Sequence, residues 1–155
     1  MADVGATLRV SSLSSSLRAH AFRLRPGQDL YKELMAFVET NQLAAVGVVT
    51  CVGSLTQVTL RYANQKVPAV QRGHFEIVSL VGTLERGGGH LHLSVSDGKG
   101  GTRGGHLLEG CLIYTTAELI LAELSELAFS RETDPTFGYK ELVVRPKRVE
   151  SSNSS

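Results

Sequence analysis

The chain has no tryptophan, two cysteines, four prolines and almost no surplus charge of either sign. Each scarcity closes off a class of function. Aromatic residues make up 6% of the sequence, too few for the stacking platforms on which single-stranded nucleic acid lies. Sixteen Lys and Arg against fifteen Asp and Glu leave a net charge of +1. The basic footprint of a duplex-binding protein is therefore missing, which argues against direct nucleic-acid binding. Cys51 and Cys111 stand far apart in apolar surroundings and form no CxxC. They read as small core residues in a reducing compartment, not as a disulfide framework or ligands. No apolar run approaches the ~20 residues of a membrane helix, so no membrane partner is expected. What is present is 155 residues, 42% of them hydrophobic. That is enough for one domain with a sizeable core, and it excludes wholesale disorder.

The ends read differently from the middle. Residues 1–17 hold five serines between Ser11 and Ser16, with no helical or strand period. They read as a disordered leader or, since Arg9 and Arg18 face only Asp3, as an organelle-targeting segment. Residues 146–155 end in SSNSS and read as a flexible tail. The expected compartment is intracellular, cytoplasmic or nuclear, with a mitochondrial destination kept open by the leader.

Between the ends, residues 18–145 form the domain. Ala19–Arg25 alternates and stops at Pro26-Gly27, a strand and a turn. Leu30, Leu34, Phe37 and Val38 make one helical stripe within Asp29–Leu43, with Asp29 placed to cap it. Ala44–Val52 reads as a buried strand, Gly53-Ser54 as a turn and Leu55–Tyr62 as the strand after it. Asn64–Arg72 reads as a loop, Phe75–Leu84 and His90–Ser96 as strands, and Asp97–Gly101 as a hairpin loop leading to His106–Thr116. Residues 117–129 are rich in Ala, Glu and Leu, so propensity favours a helix there. Leu142–Arg145 is a short closing strand. The sum is an α+β domain, mostly antiparallel sheet.

The chemistry concentrates in GHLHLSVSDGKGGTRGGHLLEGC, Gly89–Cys111. His90 and His92 are two apart, which in a strand sets both imidazoles on one face about 6.6 Å apart at ~3.3 Å per residue. His106 completes a tripod only if the hairpin loop holds an odd number of residues, or if a bulge at Gly104 or Gly105 corrects the phase. A loop centred on Lys99 sets His106 opposite His92, and one centred on Gly98 sets it opposite His90. Three histidines on a divalent ion leave a position for water or substrate, as in catalytic zinc sites. Glu76 is a candidate ligand or base, with His74 on its face. Against this stands the plainer possibility that histidines at i, i+2 make ordinary hydrogen bonds. Gly87–Gly89 and Gly100–Gly105 lack the phosphate-loop patterns and read as tight turns.

Several stretches in order resemble the PPC domain, the "plants and prokaryotes conserved" domain: FRLRPGQDL (Phe22–Leu30), VVTCVGSLTQVTLR (Val48–Arg61), FEIVSLVGTL (Phe75–Leu84), HLHLSVSD (His90–Asp97) and GGHLLEGCLIYTTAELIL (Gly104–Leu121). The resemblance covers about Arg18 to Val144. It implies a twisted, largely antiparallel sheet with flanking helices, assembled as a homotrimer. It implies that residues 117–129 begin as strand, against propensity. His90, His92 and His106 match the HxH and GGH motifs that prokaryotic-type members associate with a bound metal. The Arg-Gly-Arg-Pro core of an AT-hook is missing, which sets the chain on the prokaryotic side of the pattern.

Two functions follow as expectations. One is a homotrimeric metal-binding protein, with zinc the expected ion, whose three-histidine site takes a small molecule and is hydrolytic in its strongest form. The other is a non-catalytic trimeric regulatory module associated with DNA or chromatin.

Overall fold

The computed structural model describes residues 11–148. Leading residues 1–10 and closing residues 149–155, on which part of the leader and tail readings fall, lie outside the described residues. In chain order the elements are β1 (Leu17–Leu24), α1 (Leu30–Thr40), β2 (Val46–Arg61), β3 (Ala69–Glu85), β4 (Gly88–Ser96), β5 (Thr102–Leu107), β6 (Leu112–Leu124), β7 (Leu127–Thr133) and β8 (Lys140–Pro146). Six strands form one sheet in the order β1-β6-β2-β3-β4-β5, and every pair in it is antiparallel. The last strand also returns to the second, through Leu60↔Leu107 and Arg61↔His106. Strands β2 to β5 thus curl until they close at one end. With a single helix among the described residues, this is the mostly antiparallel α+β architecture that the alternation implies.

The helix begins where expected because Asp29 caps it. One carboxylate oxygen accepts from the backbone N–H of Tyr31 and Lys32 (3.0 and 3.2 Å), and the other accepts from Gly110 N–H at 2.6 Å. The cap therefore also ties the helix to the segment leading into β6. Leu30, Leu34 and Val38 are fully buried along its inner stripe. They pack with Leu55, Leu84, Leu91, Leu93 and Leu121 in one continuous core.

Three expectations need correction, and one conflict between propensity and resemblance is resolved. Gly53-Ser54 is not a turn: β2 runs through it, its register against β6 slipping between Gly53 and Leu55. A bulge bends the strand without ending it. Asn64–Arg72 is not all loop, since β3 starts at Ala69 opposite Leu60. His106–Thr116 is not one strand: the chain leaves β5 at Leu107 and enters β6 at Leu112, with Asp29 held to the segment between. Residues 117–129 are strand through Leu124, as the family resemblance implies, and then turn into β7. Ala117, Leu119, Leu121 and Glu123 are buried while Glu118 and Ile120 are exposed. Period-two burial against two neighbouring strands outweighs the helix propensity of single residues.

The closing strand, β8, pairs with β7 in a separate two-stranded sheet rather than with the main one. Both ends of the domain reach the β6–β7 turn: Ser125 N–H donates to Ser16 O (3.2 Å) and Lys147 N–H donates to Glu126 O (2.7 Å). Among the described residues no helix is long and apolar enough to cross a membrane.

Candidate metal centre

Period two on β4 turns Leu91 and Leu93 into the core, each 1% exposed, and His90 and His92 outward. The position of His106 depends on the hairpin. Asp97 shapes its loop: one carboxylate oxygen accepts from Lys99 N–H (3.0 Å) and Gly101 N–H (2.9 Å), and Arg103 pairs with the other. Ser96 then faces Thr102 across the five residues Asp97–Gly101, and His92 faces His106. The loop is odd and centred on Lys99, so the phase condition is met without a bulge at Gly104 or Gly105. Gly105 lets β5 fit between its neighbours, since a Cβ there would stand 2.8 Å from Arg61 O.

The three rings converge. Their ligand nitrogens lie within 4.8 Å of one another. His90 Nε2 and His92 Nε2 are 3.2 Å apart. Two nitrogens on a tetrahedral zinc, at ~2.0–2.1 Å each, would stand about 3.3 Å apart. Ring centroids are 4.9, 5.2 and 5.8 Å apart. Burial disfavours a proton on two of the rings, His106 and His90. Burial, then the Arg61 guanidinium, then the other two imidazoles push His106 down to about 4. Burial and the neighbouring His92 lower His90. Three converging imidazole nitrogens, one pair of them at tetrahedral spacing, are a donor set a divalent ion takes. The residues present fit a metal.

The other singled-out residues lie elsewhere. Glu76 is exposed on β3 between Ser54 and Ser96, four residues along β4 from His92, or about 13 Å at ~3.3 Å per residue. The structure does not bring it to the cluster. His74 packs on Tyr114, centroids 4.5 Å apart. His20 lies against Phe37 and 3.4 Å from Glu123. Cys51 and Cys111 are free and buried, and burial pushes their thiols up to about 12 and about 11.

Sequence reasoning did not find the cluster's other neighbours. Two open cavities, of about 710 and 860 Å³, meet at the histidines, and Arg61, His90, His106 and Tyr139 line both. Arg61 could have been found from its register beside His106 once β5 was seen to close on β2. Tyr139, which precedes β8, carried no local signal.

Comparison with known proteins bears on the same residues. The family model of the Plants and Prokaryotes Conserved (PCC) domain matches residues 11–125. The chain belongs to this family. Among curated proteins it is 50% identical over 129 residues to the bifunctional protein GlmU of Synechococcus sp. strain JA-3-3Ab, covering 83% of this chain and 21% of that protein. The chain thus spans about a fifth of the length of the curated relatives it matches. A solved hypothetical protein from Salmonella cholerae-suis is 47% identical with a TM-score of 0.87, covering 88% of this chain and 99% of that one. At 22% identity, where likeness shows fold alone, stand two more solved structures. One is a metal-containing protein from Archaeoglobus fulgidus (TM-score 0.74, 88% and 99% covered). The other is a candidate DNA-binding protein from Bacteroides thetaiotaomicron (TM-score 0.71, 84% and 98% covered).

Proposed function

We propose that this PCC-domain chain binds one divalent metal ion, zinc in the first instance, through His90, His92 and His106, and offers its open coordination position to a small molecule. The observation that carries this reading is the His92↔His106 pairing, which sets three imidazoles on one face with their ligand nitrogens within 4.8 Å. A bound ion of this kind supplies Lewis acidity toward an oxygen of its partner molecule. Burial and the Arg61 guanidinium disfavour a proton on His106, and the two cavities give a small molecule access to the cluster. Hydrolysis of a small molecule is the reaction class this arrangement favours. The metal-containing Archaeoglobus protein of the same fold supports the reading. Assembly as a homotrimer and an intracellular location, cytoplasmic, nuclear or mitochondrial, belong to the same proposal.

The test is elemental analysis of the purified protein beside its His90→Ala, His92→Ala and His106→Ala variants. The expected result is about one ion per chain in the wild type, as a three-ligand site demands, and loss of it in each variant. Metal-free preparations that take up no zinc on titration would overturn the reading. The rival, a DNA-associated module, draws on the Bacteroides protein and a like-named one from Ralstonia eutropha, and tight, salt-sensitive duplex binding would favour it.

A further inference from the structure

The charged groups that share the cavity of about 710 Å³ with His90 and His106 are Arg61, Arg86, Arg131 and Lys140 against Glu85 and Glu141, a basic balance. Arg61 is the ladder partner of His106 on one side of the cluster. On the other side Thr83 is the ladder partner of His90, and its hydroxyl accepts from Arg131 Nη2 at 2.8 Å. Arg131 arrives from β7, so the two guanidiniums come from different sheets and flank the cluster. Both line the 710 Å³ cavity together with His90 and His106.

Arg131 is held in place. Its Nε donates to Glu85 Oε1 at 3.0 Å, and Glu85 is 4% exposed. The second carboxylate oxygen, Oε2, is sealed from solvent and takes no donor among the described residues. A dry, half-satisfied carboxylate is a costly way to gain stability, because desolvation offsets most of the attraction of the pair. It makes sense as an anchor. Glu85 and Thr83 engage Nε and one Nη2 hydrogen of Arg131. Of the guanidinium's five donors three remain, on a side chain 16% exposed at the cavity wall. Arg61 is exposed and, among the described residues, pairs with no carboxylate. Two guanidiniums with free donors suit a planar or tetrahedral oxyanion better than any neutral group. The cavity's volume is that of a small-molecule site.

We propose that this cavity binds the anionic end of a small organic acid, a carboxylate or a phosphate monoester, between Arg61 and Arg131 beside the histidine cluster. The inference names the substrate class for the metal site and in that respect rests on the metal reading, but the two arginines themselves need no metal. Glu85 and Thr83 are positioning residues that fix Arg131.

The experiment is calorimetric titration of the full chain, metal-free and zinc-loaded, with glycerate, glycerol 3-phosphate and glycerol. Saturable binding of at least one of the two anions is expected, with glycerol at least roughly tenfold weaker, since it offers no charge-assisted partner. Whichever anion binds more tightly identifies the source of the negative group. Arg61→Gln and Arg131→Lys should each weaken that anion by roughly tenfold, the lysine keeping charge but losing the fork. If Arg131→Lys fails to fold, the double variant Glu85→Gln with Arg131→Gln, which buries no unpaired charge, takes its place. Anion binding that persists without metal and falls with the arginine changes supports the proposal even if the histidines hold no ion. Anion binding only to zinc-loaded protein, unchanged by either arginine substitution in a folded chain, overturns it and leaves the metal reading standing. No saturable anion binding in either form also overturns it.

Discussion

A Cβ placed on Gly82 would stand 2.0 Å from the carbonyl oxygen of His90. Strands β3 and β4 approach so closely there, with Gly82 at a φ of +142°, that only glycine fits beside the first histidine of the cluster. The metal reading and the fold therefore share a residue that bears no functional group.

Replacement of Gly82 by Ala should displace β4 and with it His90 and His92. We expect a loss of at least 2 kcal/mol in urea unfolding, the usual scale for overpacking plus backbone strain, together with weakened zinc uptake. A Gly82→Ala variant of wild-type stability that holds its full complement of zinc would contradict the close approach.

Zinc should raise the melting temperature of the wild type in proportion to the logarithm of its concentration. At one hundred times the dissociation constant the gain is about 2.7 kcal/mol by mass action. Differential scanning fluorimetry should show no such rise in His106→Ala, since two imidazoles remain too few for a stable site.

The pH dependence has a definite sign. In the folded chain His106 holds its proton only below about 4 and His90 is shifted the same way, whereas in the unfolded chain a histidine takes its proton near 6.5. Between those values the unfolded state binds more protons, so acidification favours unfolding. Metal-free protein should lose stability as pH falls from about 6.5 toward 4, with full stability above that window. His106→Gln should flatten the profile measured by denaturation at successive pH values.

Asp29→Ala should cost about 1–3 kcal/mol, because it removes the helix cap and the bond to Gly110 together. Urea unfolding would measure it. Asp29→Asn should recover part of the loss, since an amide still offers one acceptor.

Much of this was legible in the residues. Leu30, Leu34 and Val38 announced the helix stripe and Asp29 its cap, because both signals lie within a few positions. His90 and His92 announced a shared face. The role of His106 reduced to counting the residues in one loop, and Asp97–Gly101 gave the odd number required. What stayed hidden depends on contacts far apart in sequence. Gly53 looks like a turn residue, yet the space it saves is against Thr116, where a Cβ would meet the carbonyl oxygen at 2.1 Å. Leu119 to Glu123 look helical until β1 and β2 claim both edges of the strand. Glu76 attracted notice through its position near His74, while an acid that does line the histidines' cavity, Glu85, lies nine residues on and shows itself only through Arg131 of another sheet.

Ser16 and Lys147 dock on the same two-residue corner, Ser125 and Glu126. A short linker could therefore join the ends and new termini be cut at the Asp134–Gly138 turn, leaving the histidines and both arginines undisturbed. By the same geometry the unit can be grafted into a surface loop of a larger host, which would need to part by no more than the width of one hairpin to receive it.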